Sequence, residues 1–192
     1  MAYTLDMEKE PVVGDSPEEV FAQIGLTLLI TQDFEFMLER ALKLVFADSE
    51  ELTAEIVFKK DKRSLGRLMT DLRSRASITE DIERWMVDLL EDRNLFAHRL
   101  RDLKGFDCHT TKGRDVIWKF LGDYYQRLEK GILLFTAIQY QHADEIGFDS
   151  LLFRYSKHTD FHKEIARYYP HTGKITKKSN KAEKVTPRKQ SD

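Results

Sequence analysis

SPEEVFAQIGLTLLITQDFEFMLERALKLVF, residues 16–46, decides the fold class. Ser16 followed by Pro17-Glu18-Glu19 is a helix start. It offers a capping hydroxyl, a proline in the first turn, and two acids at the positive end of the helix dipole. Beyond it, apolar residues recur at Val20, Ile24, Leu28, Phe34, Leu38, Leu42 and Val45, with Thr31 in the same register. That spacing is helical over about 30 residues, or roughly 45 Å.

The same signals continue outward. Asp48-Ser49-Glu50-Glu51 restarts a second helix to about Lys60, and Ser64 caps a third over Leu65–Arg75. Thr79-Glu80-Asp81-Ile82 opens a fourth that runs to about Leu100. Residues 101–113 hold two glycines and several polar residues and read as a loop. A long helix follows from about Arg114 to Glu145, ended by Gly147, and residues 149–169 read as one more, less regular helix. All four prolines lie outside residues 18–169, which speaks for helix and against a β-sandwich or barrel. The expectation is an all-α helical bundle with two long antiparallel helices and several shorter ones.

Composition bounds the rest. The 192 residues suit one domain, and Leu, Ile, Val and Phe form about 28% of them, enough for a core. A single cysteine, Cys108, excludes a disulfide framework and fits a reducing cytoplasm. The acidic, polar N-terminus is not a signal peptide, and the longest apolar run, near 131–137, is far too short to span a bilayer. The formal charge of −2 hides segregation: residues 171–192 carry seven Lys/Arg and two Asp/Glu, net +5. Residues 1–15 therefore read as an extended leader, 16–170 as the bundle domain, and 171–192 as a disordered basic tail. Such a tail adds phosphate contacts to a nucleic-acid binder or simply keeps the chain soluble.

The fourth helix carries the chemistry. Ile82, Met86, Leu89, Phe96 and Leu100 form its apolar stripe, and position 93, in register with them, is Arg93. A guanidinium is expensive to bury alone. Three readings stand. It snorkels to the bundle edge; it pairs with an acid such as Glu91 or Asp92 or one on a neighbouring helix; or it faces a pocket or interface that expects an anion. Asn94 and His98 share the adjacent face, four residues apart, near the helix C-terminus. A histidine there can move protons near neutral pH, a guanidinium can hold a phosphate, and an asparagine can fix the imidazole tautomer.

The segment Glu91-Asp92-Arg93-Asn94-Leu95-Phe96-Ala97-His98 resembles the signature of the HEPN superfamily: an arginine, commonly a polar residue directly after it, and a histidine after four to six intervening residues. The likeness is tight over these eight residues and loose over residues 17–145. It implies a metal-independent endoribonuclease without cofactors, acting as a homodimer in which two Arg–His motifs share one cleft. The RNA 2′-hydroxyl would attack and leave a 2′,3′-cyclic phosphate. His98 would be general acid or base, Arg93 would stabilise the phosphorane, and Asn94 would position. Many such proteins are toxins paired with antitoxins, or antiviral-defence effectors. In one branch a tyrosine sits two residues after the histidine; here that residue is Leu100, which puts control by tyrosine modification in doubt.

Other signals are weaker. His158 and His162, with Asp160 and Glu164 near, have a zinc-compatible spacing but lack a third ligand. Cys108-His109 reads as a small apolar residue beside a loop histidine rather than a nucleophile and its base. Lys59, Lys60, Lys62, Arg63, Arg73 and Arg75 form a basic cluster, either an RNA-backbone surface or a solvated face. Phe120, Tyr124 and Phe135 follow core spacing, whereas Tyr125 and Tyr140 fall off it and could reach a cleft. Two readings of other classes stand beside the ribonuclease: a non-catalytic helical interaction module and a nucleic-acid-binding regulator that uses the basic tail.

Overall fold

A computed structural model of the chain describes residues 16–46, 63–145 and 160–178. The leader 1–15, the expected second helix, residues 179–192 and the first part of the expected helix 149–169 lie outside these residues. Within them the fold is all-α apart from one short strand pair.

Helix α1, Pro17–Leu44, starts as its sequence dictates. The Ser16 hydroxyl accepts the Glu19 N–H at 3.3 Å, and the Glu19 carboxylate accepts the Ser16 N–H at 3.4 Å, a reciprocal capping box. Helix α2, Leu65–Arg75, leads into strand β1, Ala76–Ile78. Helix α3, Glu80–His98, ends in a short 3₁₀ turn at Leu100–Asp102. Helix α4, Thr111–Glu145, is 35 residues long, and α5, Asp160–Ala166, and α6, Tyr169–Thr172, pack on it. Helix α4 begins three residues before the expected position, inside the stretch read as loop. Gly113 permits this, because a Cβ there would stand 2.1 Å from the Asp107 carbonyl oxygen.

The two long helices are parallel, not antiparallel as expected. Thr31 meets Tyr124, Phe34 meets Phe135, and the Gln139 amide donates to the Met37 carbonyl, so partners rise together along both helices. The reverse-running element is α3: Trp85 lies beneath Lys130, Asp92 pairs with Arg127, and Phe96 packs tilted against Tyr124. The short connection 99–110 turns the chain from α3 into α4. The long helices therefore share a direction because α3 already takes the opposite one.

The core centres on Phe34, Trp85 and Phe135. The Phe34 and Trp85 rings meet edge to face at 6.2 Å, and Phe34 tilts on Phe135 at 6.1 Å. Gly131 makes room for them, since a Cβ there would stand 2.4 Å from the Phe34 ring and 2.9 Å from Trp85. The apolar register of α1 holds only in part. Val20, Phe34, Leu38 and Leu42 are buried, but in the N-terminal half Thr27 takes the inward position and Leu28 points outward, 47% exposed.

Strand β2, Ile175–Lys177, corrects the expectation of a disordered tail from residue 171. It pairs antiparallel with β1, Ala76 opposite Lys177 and Ile78 opposite Ile175. The Thr79 N–H donates to the Lys174 carbonyl at 3.0 Å, and the Lys178 N–H donates to the Arg75 carbonyl at 2.8 Å. Ile175 is buried, and Lys174 reaches Asp81 at 2.5 Å. One buried isoleucine and the unused backbone donors and acceptors of β1 outweigh a polar composition.

Two glycines of α4 give opposite outcomes for one substitution. Gly131→Ala drives a methyl into two aromatic rings and should destabilise by about 1–3 kcal/mol. Gly122→Ala meets no atom within 4 Å and should stabilise by about 0.5–1 kcal/mol. Thermal denaturation of the two variants checks the packing directly.

Candidate functional site

The stripe of α3 buries Ile82, Met86, Leu89 and Phe96. Arg93, in line with them, reaches the rim of the bundle with its side chain 20% exposed. It finds its acid on a neighbouring helix: Nη2 donates to Glu35 Oε1 of α1 at 3.4 Å. Asp92 pairs instead with Arg127 of α4, and Glu91 points to solvent. The guanidinium also folds along the last turn of its own helix, where Nη1 lies 3.2 Å from His98 Nε2. Arg93 Nε is buried and has no hydrogen-bond partner among the described residues.

Arginine has only donors, so His98 Nε2 accepts and the ring proton sits on Nδ1. The imidazole itself is exposed. Asn94 is half-buried and has no hydrogen-bond partner among the described residues. Arg93, rather than Asn94, therefore sets the imidazole tautomer. The structure brings Arg93 and His98 into contact and leaves Asn94 beside them without a partner.

A polar chain backs the site. Thr31 donates to the Thr27 carbonyl at 2.8 Å, which leaves its oxygen to accept the Tyr124 hydroxyl at 3.0 Å. Tyr124 packs tilted against Phe96 at 5.4 Å and stacks on Phe120 at 6.1 Å. Burial pushes the Tyr124 hydroxyl up to about 12, so it is neutral at physiological pH and serves as a floor.

The N-terminal half of α1 exposes the apolar side chains of Phe21, Leu26, Leu28 and Leu29. Phe21, Gly25, Leu28, Gln32 and Glu35 succeed one another at helical spacing, with Phe21 60% and Leu28 47% exposed. The line ends at the carboxylate that holds Arg93. Glu35 and this stripe are the features that sequence reasoning missed. Their signal was the 4-3-4-3 spacing from Phe21 to Glu35, hidden by assigning Leu28 to the core.

The remaining candidates resolve differently. Arg63 pairs with Asp71 and Arg73 with Glu83, so two members of the basic cluster are neutralised locally; Lys59, Lys60 and Lys62 lie outside the described residues. Tyr140 is buried against Leu44 and Ala137. Tyr125 does line a groove, of about 370 Å³, but shares it with Asp33, Glu129 and Glu164. Burial, and Glu164 beside it, raise the Glu129 carboxyl above the usual range. That groove repels phosphate. Cys108 is buried, and Arg114 donates to its carbonyl and that of His109, which ties the loop down. His158 and the side chain of His162 lie outside the described residues. Among those described, no three His, Cys, Asp or Glu side chains converge on a metal position, and no helix is long and apolar enough to cross a membrane. Comparison with protein families, curated proteins and solved structures finds no match for this chain.

Asp92 offers a test of the supporting ion pair. Burial raises its carboxyl, and Arg127 opposes that rise. A carboxyl raised in the folded state contributes most at pH below its unfolded pKa and loses that contribution as pH rises through the folded value. Arg127→Leu removes the opposing charge. The variant should melt about 2–6 °C below wild type at pH 7.5, with a smaller deficit at pH 4.5.

Proposed function

We propose that this chain is a metal-independent endoribonuclease of HEPN type that acts as a homodimer. One observation carries the reading. The Arg93 guanidinium, its side chain 20% exposed, touches an exposed His98 imidazole at the bundle rim, and its buried Nε donor has no partner among the described residues. An anion-binding group and a proton-transfer group thus meet where a large polyanion can reach them.

In this reading a phosphodiester oxygen binds Arg93, which stabilises charge on the pentavalent phosphorus. The neighbouring 2′-hydroxyl attacks phosphorus, His98 accepts its proton, and the 5′-oxygen leaves with a proton returned to it. The product ends are a 2′,3′-cyclic phosphate and a 5′-hydroxyl. Asn94, with no partner among the described residues, is available to orient the phosphoryl group or the sugar. A second copy seated on Phe21, Leu28 and their neighbours would cover apolar surface that a lone chain leaves in water. Because that stripe ends at Glu35, such a pairing brings two Arg93–His98 sites close together. The biological setting proposed is a toxin or antiviral-defence effector, with an antitoxin as a further partner. The exposed stripe alone also favours a second reading, a non-catalytic dimerisation module.

Incubation of a mixed-sequence RNA with EDTA separates the two. Wild type should cut and leave cyclic-phosphate ends, and His98→Ala and Arg93→Ala should each lose at least about 10²-fold in rate. Uncut RNA, or equal cutting by His98→Ala, supports the interaction module. Leu28→Glu, at an exposed position, should shift light scattering from dimer to monomer and lower the cleavage rate with it.

A further inference from the structure

We infer that Glu35 is a positioning residue that occupies the anion-binding edge of Arg93 in the free protein and must yield that edge to an incoming oxyanion. The inference rests on the reading of Arg93 as a phosphate holder and adds the group that competes for it.

The guanidinium has five N–H donors in a flat fork. Its Nη1 is engaged by His98. Its Nε–H and one Nη2–H lie side by side on a single edge, the edge on which a carboxylate or phosphate binds with two parallel bonds. Glu35 takes a single Nη2 donor, through Oε1 at 3.4 Å, whereas charge-assisted N–H···O bonds are usually about 2.7–2.9 Å. The other donor, Nε, is buried with no partner among the described residues. A carboxylate built to lock this arginine would take both donors at short range. Glu35 takes one, at long range, on a side chain that is 25% exposed.

No other described acid replaces it. Asp92, the nearest alternative on α3, is held by Arg127, and Glu91 faces solvent. Removal of Glu35 therefore leaves the edge open instead of passing Arg93 to a second carboxylate. A phosphoryl group has the geometry to satisfy both edge donors. Once it binds, Glu35 becomes a like charge beside it and weakens the complex. The same exchange draws Arg93 toward the anion and frees His98 Nε2 for proton transfer. Glu35, Arg93 and His98 thus form a closed resting chain that an oxyanion opens.

The test is a titration of the full chain with inorganic phosphate at constant ionic strength, followed through the His98 imidazole signals by NMR. Wild type, Glu35→Gln, Glu35→Asp and Arg93→Ala are compared. Glu35→Gln, nearly isosteric, should bind phosphate about five-fold more tightly, the factor expected from removing one like charge a few ångströms away in a water-rich setting. Glu35→Asp keeps the charge and should stay close to wild type, and Arg93→Ala should show no saturation. A purely structural Glu35 would give weaker or unchanged binding in Glu35→Gln, and either result overturns the inference. So does the absence of saturable binding in both wild type and Glu35→Gln. Cleavage is read separately. Tighter phosphate binding without RNA cutting leaves this inference standing and removes the ribonuclease. RNA cutting with no effect of Glu35 on phosphate does the reverse.

Discussion

The close approach at Gly131 is the contact on which the other contacts depend. With hydrogen in place of a side chain, α4 lets the Phe34 ring lie against its backbone and lets Trp85 close over both. Three helices are thereby locked at one level: α1 and α4 running the same way, α3 running back. Interiors pack as densely as organic crystals, so this contact has little freedom to slide. It also sets where polar groups emerge. Glu35 follows Phe34 directly, so seating Phe34 in the core delivers Glu35 to the rim beside Arg93.

The charges of this rim are shared out in a definite way. Asp92 and Arg127 form one pair between α3 and α4, and Glu35 and Arg93 form another between α1 and α3. The first is closely engaged. The second is long and leaves a buried donor unmet, and an unmet donor in a native structure calls for an explanation. An anion supplied from outside is one that also accounts for the adjacent histidine. The aromatic floor of Phe96, Phe120 and Tyr124 stiffens the helix end that carries both residues. Its one buried hydroxyl is satisfied by Thr31, so it places no competing polar group beneath the guanidinium.

Electrostatics also separates the faces of the bundle. The groove between α1, α4 and α5 gathers Asp33, Glu129 and Glu164 over an apolar lining and disfavours phosphate. The strand pair places Lys174 and Lys178 near α2 and α3, but Lys174 is engaged by Asp81 and Lys178 by the Arg73 carbonyl. Arg63 and Arg73 have acidic partners of their own. Local pairs thus take up Arg63, Arg73 and Lys174, whereas Arg93 of the α3 stripe keeps its buried Nε without a partner among the described residues.

Local signals in the sequence determined the class of the fold and most of its helices. The capping box at Ser16, the acids after Thr79, the proline-free interior and the helical spacing all act within one or two turns, and each helix they start is where they place it. The nearness of Arg93, Asn94 and His98 was legible for the same reason, since all three lie at one helix end; that the guanidinium and not Asn94 meets the imidazole was decided by the fold. Tertiary structure alone decided the rest. The shared direction of α1 and α4 depends on α3 and the path of the chain between them, which no periodicity encodes. Leu28 and Thr27 exchange places because neighbouring helices, not hydropathy, choose the inward line. Strand β2 forms because β1 presents a backbone edge close by in space and almost a hundred residues away in sequence. Glu35 meets Arg93 across 58 positions, through a contact that exists only once Phe34 is seated against Gly131.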